Sequence, residues 1–265
     1  MATNIRRVSP CRACCLLLCP SRPVGLSELT TTATTTTTTT TTGDCTARTS
    51  RLLTRHPPCF FPSVFMFWGL LLLSHPHPRT HSNAHTHNAT CRQGLTYARG
   101  KLFESAGLYG ESSVRILDRT DARIETKEPM EPNLFAEGMT YCRDTLVQIT
   151  WKSQRGFLYN VTTLETLSEF KFWTTKNEGW GITWDRCRDE LIVTDGSANL
   201  HFWDPSTMVE TRRIPVTRLD GSPAKNMNEI EYWRGRVLAN VWYEDVILVI
   251  DPETGVVEKE YGTCF

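Results

Sequence analysis

The chain has 265 residues, of which 22% are charged and 10% aromatic, and its formal net charge is zero. A neutral balance of charges gives no basic surface of the kind that binds nucleic acid, so we expect no nucleic-acid partner. The composition changes near residue 88, from a segment rich in Thr, Pro, Cys and His to one of globular character. We therefore predict a disordered leader over 1–87 and one globular domain over 88–265.

The leader contains two segments of distinct composition. Residues 30–42 are almost all threonine, a tract with no apolar period that buries too little surface to offset its chain entropy. Residues 60–74 are strongly apolar, but the run contains Pro62 and is shorter than the roughly 20 residues of a membrane-spanning helix. Its length is typical of a signal-peptide core, with Met66 as a candidate start, or of a short membrane anchor. We expect the protein to enter the secretory pathway, where it is secreted or is lumenal and membrane-anchored.

The last part of the leader, 75–87, carries five histidines on a Pro-containing segment. We interpret it as a solvated linker, because a metal site needs a fixed second shell that such a segment lacks. The clustered cysteines within 11–19 likewise have no second ligand pair at zinc-like spacing. We expect neither a metal nor a cofactor in the chain.

Sequons and single cysteines also bear on targeting. Asn88 and Asn160 each open an N-x-T sequon, which predicts glycosylation if the chain enters the secretory route. The globular part carries cysteines at wide intervals, compatible with one or two disulfides whose pairing the spacing leaves open. These cysteines are Cys91, Cys142, Cys187 and Cys264.

An internal repeat is the main feature of the globular part. Four similar segments are separated by 44, 43 and 48 residues: QGLTY at 93–97, EGMTY at 137–141, WGITW at 180–184 and NEIEY at 228–232. Each is followed by a second extended run, by a third that ends at an Asp or Asn turn, and by a fourth. Four short strands in each unit of this length are typical of a β-propeller blade. The sequence therefore predicts an all-β propeller with about four blades present.

The residue that opens the first strand of each unit differs from one unit to the next. A purely structural repeat would place similar residues there, whereas a ligand pocket would need different ones. The four opening residues are Gln93, Glu137, Trp180 and Asn228. Three further aromatics lie at related positions: Phe135, Trp151 and Trp242.

Two interpretations of this set remain open, a ligand pocket and ordinary packing of aromatic residues between blades. We favour the pocket, because the buried carboxyl of Glu137 among aromatic rings would have a raised pKa suited to general acid–base chemistry. His201 lies in a strand beside Phe202 and Trp203, so we expect it to pack within a blade and not to act in catalysis.

A series of motifs resembles the plant-type glutaminyl-peptide cyclotransferases, also called glutamine cyclotransferases. They run in the family's order as QGLTY, LFESAGLYGESSVRILD, FAEGMTY, QITW, EGWGIT, TDGSANLHFWDP, KNMNEIEY and ANVW, from about residue 91 to 261. The resemblance implies a five-bladed propeller. The family's final blade, with a lysine that contributes to the site, is expected to be missing here, and Cys91 stands where the family has Phe.

The same resemblance implies an acyltransferase that cyclises the N-terminal glutaminyl residue of a peptide to pyroglutamate and releases ammonia without a metal. Glu137 would carry a proton from the attacking α-amine to the leaving nitrogen, and Gln93 and Asn228 would hydrogen-bond the substrate. The side chains that would form the pocket walls are Phe135, Trp151, Trp180 and Trp242. We expect a monomer that acts on peptides with N-terminal Gln. The alternative is a non-catalytic propeller that binds peptides or partner proteins in the same channel.

Overall fold

The computed structural model describes residues 91–263, which form sixteen strands in four antiparallel sheets of four strands each. The prediction of an all-β propeller with four blades is confirmed. Within this range no helix is long and apolar enough to cross a membrane. The predictions made for 1–87, for the sequon at Asn88 and for Cys264 lie outside the described residues.

Each blade is a meander in which consecutive strands pair, and we number the blades in chain order. Blade 1 contains β1 (Cys91–Ala98), β2 (Lys101–Gly107), β3 (Ser113–Leu117) and β4 (Ile124–Pro129). Blade 2 contains β5 (Ala136–Cys142), β6 (Thr145–Thr150), β7 (Arg155–Asn160) and β8 (Thr166–Lys171). Blade 3 contains β9 (Ile182–Asp185), β10 (Glu190–Val193), β11 (Asn199–Asp204) and β12 (Val209–Pro215). Blade 4 contains β13 (Met227–Trp233), β14 (Arg236–Val241), β15 (Val246–Ile250) and β16 (Val257–Gly262).

The turn between the third and fourth strands is built the same way in every blade. A side-chain oxygen at the end of the third strand accepts a hydrogen bond from the backbone N–H two residues further on, at 2.7 or 2.8 Å. Such turns favour Asp and Asn, because their short side chains reach their own backbone. The four residues are Asp118, Asn160, Asp204 and Asp251, as the repeat predicted.

Apolar layers join neighbouring blades. Each layer combines side chains of two consecutive blades, so three layers hold blades 1 to 4 together. The layer between blades 2 and 3, for example, packs Val147 and Phe172 against Ile182 and Trp203. The inner strands follow the same order, with β5 against β1, β9 against β5 and β13 against β9. No comparable packing joins β13 to β1 among the described strands, so these blades form an open row.

Candidate active site

The opening ends of the inner strands converge on one pocket. Its cavity has a volume of about 70 Å³, several times the roughly 10–15 Å³ that one water molecule needs on the same measure. The pocket therefore has room for a small organic group. The residues that line it are Gln93, Phe135, Glu137, Trp151, Trp180, Asn228 and Trp242. These are the seven residues that the sequence placed in the site, and the fold brings all of them together.

Glu137 is the acidic residue of this lining. It is the second residue of β5, and only 8% of the residue is exposed. Burial raises the pKa of its carboxyl well above the usual value, because the charged form loses its hydration, and the nearby charge of Glu178 raises that pKa further. A carboxyl with a raised pKa exchanges a proton more readily near neutral pH than an exposed one does.

A buried chain of hydrogen bonds holds the backbone of Glu137. The hydroxyl of Ser105, on blade 1, donates to the carbonyl oxygen of Glu137. Ser105 accepts from Nε2 of Gln148 at 2.6 Å, and the Gln148 Oε1 accepts from the Tyr159 hydroxyl at 2.9 Å. Because all three side chains are buried, these bonds replace water contacts that are absent there. The chain fixes the point from which the Glu137 carboxyl enters the pocket.

Two aromatic pairs form part of the pocket lining. In blade 2, Phe135 and Trp151 meet edge to face with ring centroids 5.7 Å apart. Trp180, at the start of blade 3, meets Trp242 of blade 4 edge to face at 5.3 Å. This geometry is preferred for aromatic pairs, since the positive ring edge meets the negative face.

Two exposed tyrosines extend these pairs at the surface. Tyr109 packs on Phe135 at 5.3 Å, and Tyr243 packs on Trp242 at 4.2 Å. The exposed fractions are 49% for Tyr109 and 75% for Tyr243, so both rings present aromatic surface to solvent beside the pocket lining.

Two glycines make room for the pocket lining. A Cβ on Gly196 would lie 2.5 Å from the ring of Trp180, and one on Gly107 would lie 2.6 Å from the ring of Phe135. Gly196 also has φ +71°, a conformation that glycine adopts without strain. The motif TDGSANLHFWDP therefore contributes to the site through Gly196, although none of its side chains lines the pocket.

Blade 4 is tied to blade 3 at the pocket by Thr194. Its buried hydroxyl accepts from the backbone N–H of Gly181 at 2.8 Å and donates to the carbonyl oxygen of Asn228 at 2.6 Å. Thr194 thus holds Asn228 much as Ser105 holds Glu137, each from the preceding blade. The placement of both site residues depends on the packing of neighbouring blades.

The amides of Gln93 and Asn228 face the pocket from blades 1 and 4. Among the described residues, neither side chain forms a hydrogen bond with another protein group. Both residues are half-buried. Their donors and acceptors are therefore available to a bound molecule.

Three residues that support the site were missed in the sequence. Glu178 accepts hydrogen bonds from two of the wall tryptophans, while Ser105 and Thr194 fix backbone carbonyls. The motif EGWGIT places Glu178 two residues before Trp180, which was a usable signal. The other two are ordinary polar residues, Ser105 within β2 and Thr194 directly after β10, and no sequence pattern marks them.

His201 lies outside the pocket lining. It is fully buried in blade 3, where its Nδ1 is 2.8 Å from Oε2 of Glu210 and its Nε2 is 3.3 Å from the Thr175 hydroxyl. This is the packed position that the sequence indicated.

Of the cysteines, Cys91 is disulfide-bonded, whereas Cys142 is a buried thiol whose pKa burial raises to about 12.

A propeller that surrounds one buried carboxyl with aromatic walls and two amides defines a small-ligand pocket equipped for proton transfer. A sequence model of the glutamine cyclotransferase family matches residues 78–263. The chain belongs to the glutamine cyclotransferase family, as its motifs indicated.

Known proteins resemble the chain in both sequence and structure. The glutaminyl-peptide cyclotransferase of Arabidopsis thaliana is 38% identical over 164 residues, which cover 62% of this chain and 50% of that protein. The chain thus spans about half the length of this curated relative.

Two solved structures share the fold. The crystal structure of Myxococcus xanthus glutaminyl cyclase matches with a TM-score of 0.58 and 28% identity, over 64% of this chain and 70% of that one. A protein of unknown function from Bacteroides caccae matches with a TM-score of 0.50 and 10% identity, over 64% and 66% of the two chains. At that identity the second likeness bears on the fold alone.

Proposed function

We propose that the chain is a glutaminyl-peptide cyclotransferase, which converts the N-terminal glutaminyl residue of a peptide to pyroglutamate and releases ammonia without a metal. The position of Glu137 carries this proposal, since a buried carboxyl of raised pKa faces a cavity lined by aromatic rings and two amides. Membership of the family and the activity named for the Arabidopsis thaliana relative support the same reaction.

The reaction joins two ends of one residue, so the enzyme's task is to fold that residue and move a proton. The α-amine nitrogen attacks the side-chain carboxamide carbon, a C–N bond forms, and the bond to the carboxamide nitrogen breaks. In its ionised form Glu137 accepts a proton from the attacking amine and then donates it to the leaving nitrogen, which departs as ammonia. The raised pKa of Glu137 suits both steps. It makes the carboxylate a stronger base toward the amine, and it makes the protonated form that donates to the leaving nitrogen accessible closer to neutral pH.

The amides of Gln93 and Asn228 supply groups that hold the substrate. An amide NH₂ directed at the carboxamide oxygen stabilises the negative charge that develops on it during attack. Asn228 is suited to this task because Thr194 fixes its backbone from blade 3. The amide oxygens remain able to accept from the substrate's N–H groups.

The aromatic walls contribute by shape and by excluding water. A cavity of about 70 Å³ favours a folded glutamine side chain over an extended one, which brings the amine and carboxamide into contact. The rings of Phe135, Trp151, Trp180 and Trp242 also displace water, which would otherwise compete by hydrolysing the carboxamide.

The direct test is release of ammonia from a glutaminyl dipeptide amide by the full chain. We expect turnover by the wild type and a loss of about 10²–10⁴-fold in kcat for Glu137→Gln, which keeps the shape of the side chain but cannot exchange the proton. Glu165→Gln, an exposed substitution in a turn of blade 2, serves as the matched control and should retain activity. A folded wild type that binds the peptide but releases no ammonia would favour a non-catalytic peptide-binding propeller.

We also propose that the protein passes through the secretory pathway. The apolar segment 60–74 supports this by its length, and the disulfide bond of Cys91 supports it because disulfides persist in oxidising compartments. A shift in mobility on treatment with an N-glycosidase would be expected of the native protein. Native protein found only in the cytosol would contradict the proposal.

A further inference from the structure

Glu178 joins the two aromatic walls through a single carboxylate oxygen. Its Oε2 accepts a hydrogen bond from the indole Nε1–H of Trp151 at 2.8 Å and from that of Trp180 at 2.9 Å. Trp151 belongs to blade 2 and Trp180 to the start of blade 3, so the carboxylate spans the boundary between blades. Hydrogen bonds to an ionised acceptor are about twice as strong as neutral ones, which makes this a firm link.

The loop that carries Glu178 is itself closed by hydrogen bonds. Residues 172–181 connect β8 to β9, and the buried Thr174 hydroxyl accepts from the Glu178 N–H at 3.1 Å and donates to its carbonyl at 2.7 Å. Next along the chain, the N–H of Gly179 donates to the carbonyl oxygen of Trp151 at 2.9 Å. The backbone therefore presents the carboxylate at a fixed place between the two indoles.

Charged and titratable groups surround this carboxylate and Glu137. The ammonium of Lys152 is 3.8 Å from Oε1 of Glu178 and 4.0 Å from the ring centre of Trp151. Lys176 lies 5.5 Å above the ring of Trp180. Tyr109 and Glu229 interact electrostatically with Glu137 from blades 1 and 4. Glu178 is the carboxylate of this group that bonds to the pocket walls.

We propose that Glu178 is a positioning residue: it holds the rings of Trp151 and Trp180 in fixed orientation around the substrate and acts on Glu137 through its negative charge. This inference rests on the proposed function for its kinetic part. The charge opposes ionisation of Glu137, and its effect adds to that of burial, the larger cause of the raised pKa of Glu137. Glu178 thereby contributes both to the shape of the pocket and to the basicity of the proton-transfer group.

Two substitutions separate these contributions. Glu178→Gln keeps a carbonyl oxygen that accepts from the indoles but removes the charge, whereas Glu178→Ala removes both. The indole N–H signals in ¹H–¹⁵N spectra, assigned with Trp151→Phe and Trp180→Phe, report the wall contacts directly. The chain has 8 tryptophans, so the signals are few enough to follow.

For Glu178→Gln we expect both indole signals to stay near their wild-type positions, while the limb of the kcat–pH profile that depends on Glu137 moves to lower pH. For Glu178→Ala we expect both indole signals to move upfield and kcat/KM to fall by up to about 100-fold, the loss that a small misplacement of a substrate wall can cause. Glu165→Gln should leave the spectra and the profile unchanged.

The inference is overturned if Glu178→Ala leaves both indole signals in place, or if the indoles move but kcat/KM remains within twofold of wild type. An unchanged pH profile in Glu178→Gln would overturn the electrostatic part. A wild type that releases no ammonia would refute the proposed function instead. The indole spectra would then still decide whether Glu178 fixes the two walls.

Discussion

Gly181 lies so close to Asn228 that a Cβ atom placed on it would be 2.3 Å from the Asn228 carbonyl oxygen. Gly138 and Gly94 occupy the same position in their repeat units, and a Cβ atom placed on them would lie 2.7 and 2.5 Å from backbone atoms of the next blade. The repeated glycine is therefore required where inner strands of successive blades approach one another.

Gly181→Ala should consequently destabilise the propeller. The added methyl group meets backbone atoms, which do not rotate away, so we expect a loss of about 1–3 kcal/mol or more in the free energy of unfolding. Urea unfolding measures this loss, with Gly262→Ala as the control because nothing lies within 4 Å of its Cβ position. Equal stability of the two variants would show that the blades have room to separate at this point.

The repeat explains how much of the site could be predicted from the sequence. Glu137, Trp180 and their counterparts occupy equivalent positions at or just before the starts of the inner strands, so an alignment of the four units is enough to place them around one axis. The supporting contacts follow no such period: Ser105 reaches Glu137 across 32 residues, and Thr194 reaches Asn228 across 34, whereas the repeat is longer than 40. Those contacts depend on how one blade packs on the next, which strand patterns do not specify.

The hydrogen bond from the Ser105 hydroxyl to the Glu137 carbonyl oxygen leads to a second prediction. Ser105→Ala leaves the carbonyl oxygen of Glu137 and Nε2 of Gln148 without their buried partner, which costs about 1–3 kcal/mol of stability. Because the Glu137 backbone is then less constrained, we also expect kcat to fall while KM changes little. Ser168→Ala, in the exposed outer strand β8, should alter neither quantity. A fall in stability with an unchanged kcat would limit the role of Ser105 to folding.

Arg143 and Asp189 form an ion pair between turns of blades 2 and 3, at the ends of the inner strands away from the pocket. Both side chains are 42% exposed, so solvent screens their attraction. We expect Asp189→Asn to lower Tm by less than about 3 °C and to leave kcat unchanged. The small difference should shrink further in high salt. A large drop in kcat would mean that the far ends of the blades are coupled to the pocket.

The raised pKa values of buried glutamates, two of them in the inner strand of blade 4, predict how the free energy of unfolding depends on pH. Burial raises the pKa of Glu231 to about 7, against an ordinary value of 4.5, and burial likewise raises the pKa of Glu229 and Glu137. Between these pH values the folded protein keeps a proton on Glu231 that the unfolded chain releases. The free energy of unfolding should therefore decrease as pH rises from 4.5 to about 7, since the unfolded state binds fewer protons.

Urea unfolding across that pH range measures this slope, and Glu231→Gln removes one of the groups that cause it. The variant should lose less stability than the wild type as pH rises, and it should be the more stable of the two at pH 7. Glu165→Gln, whose side chain is exposed, should follow the wild-type slope. If the wild type instead became more stable with rising pH, or if Glu231→Gln kept the full slope, Glu231 would already be ionised in the folded protein.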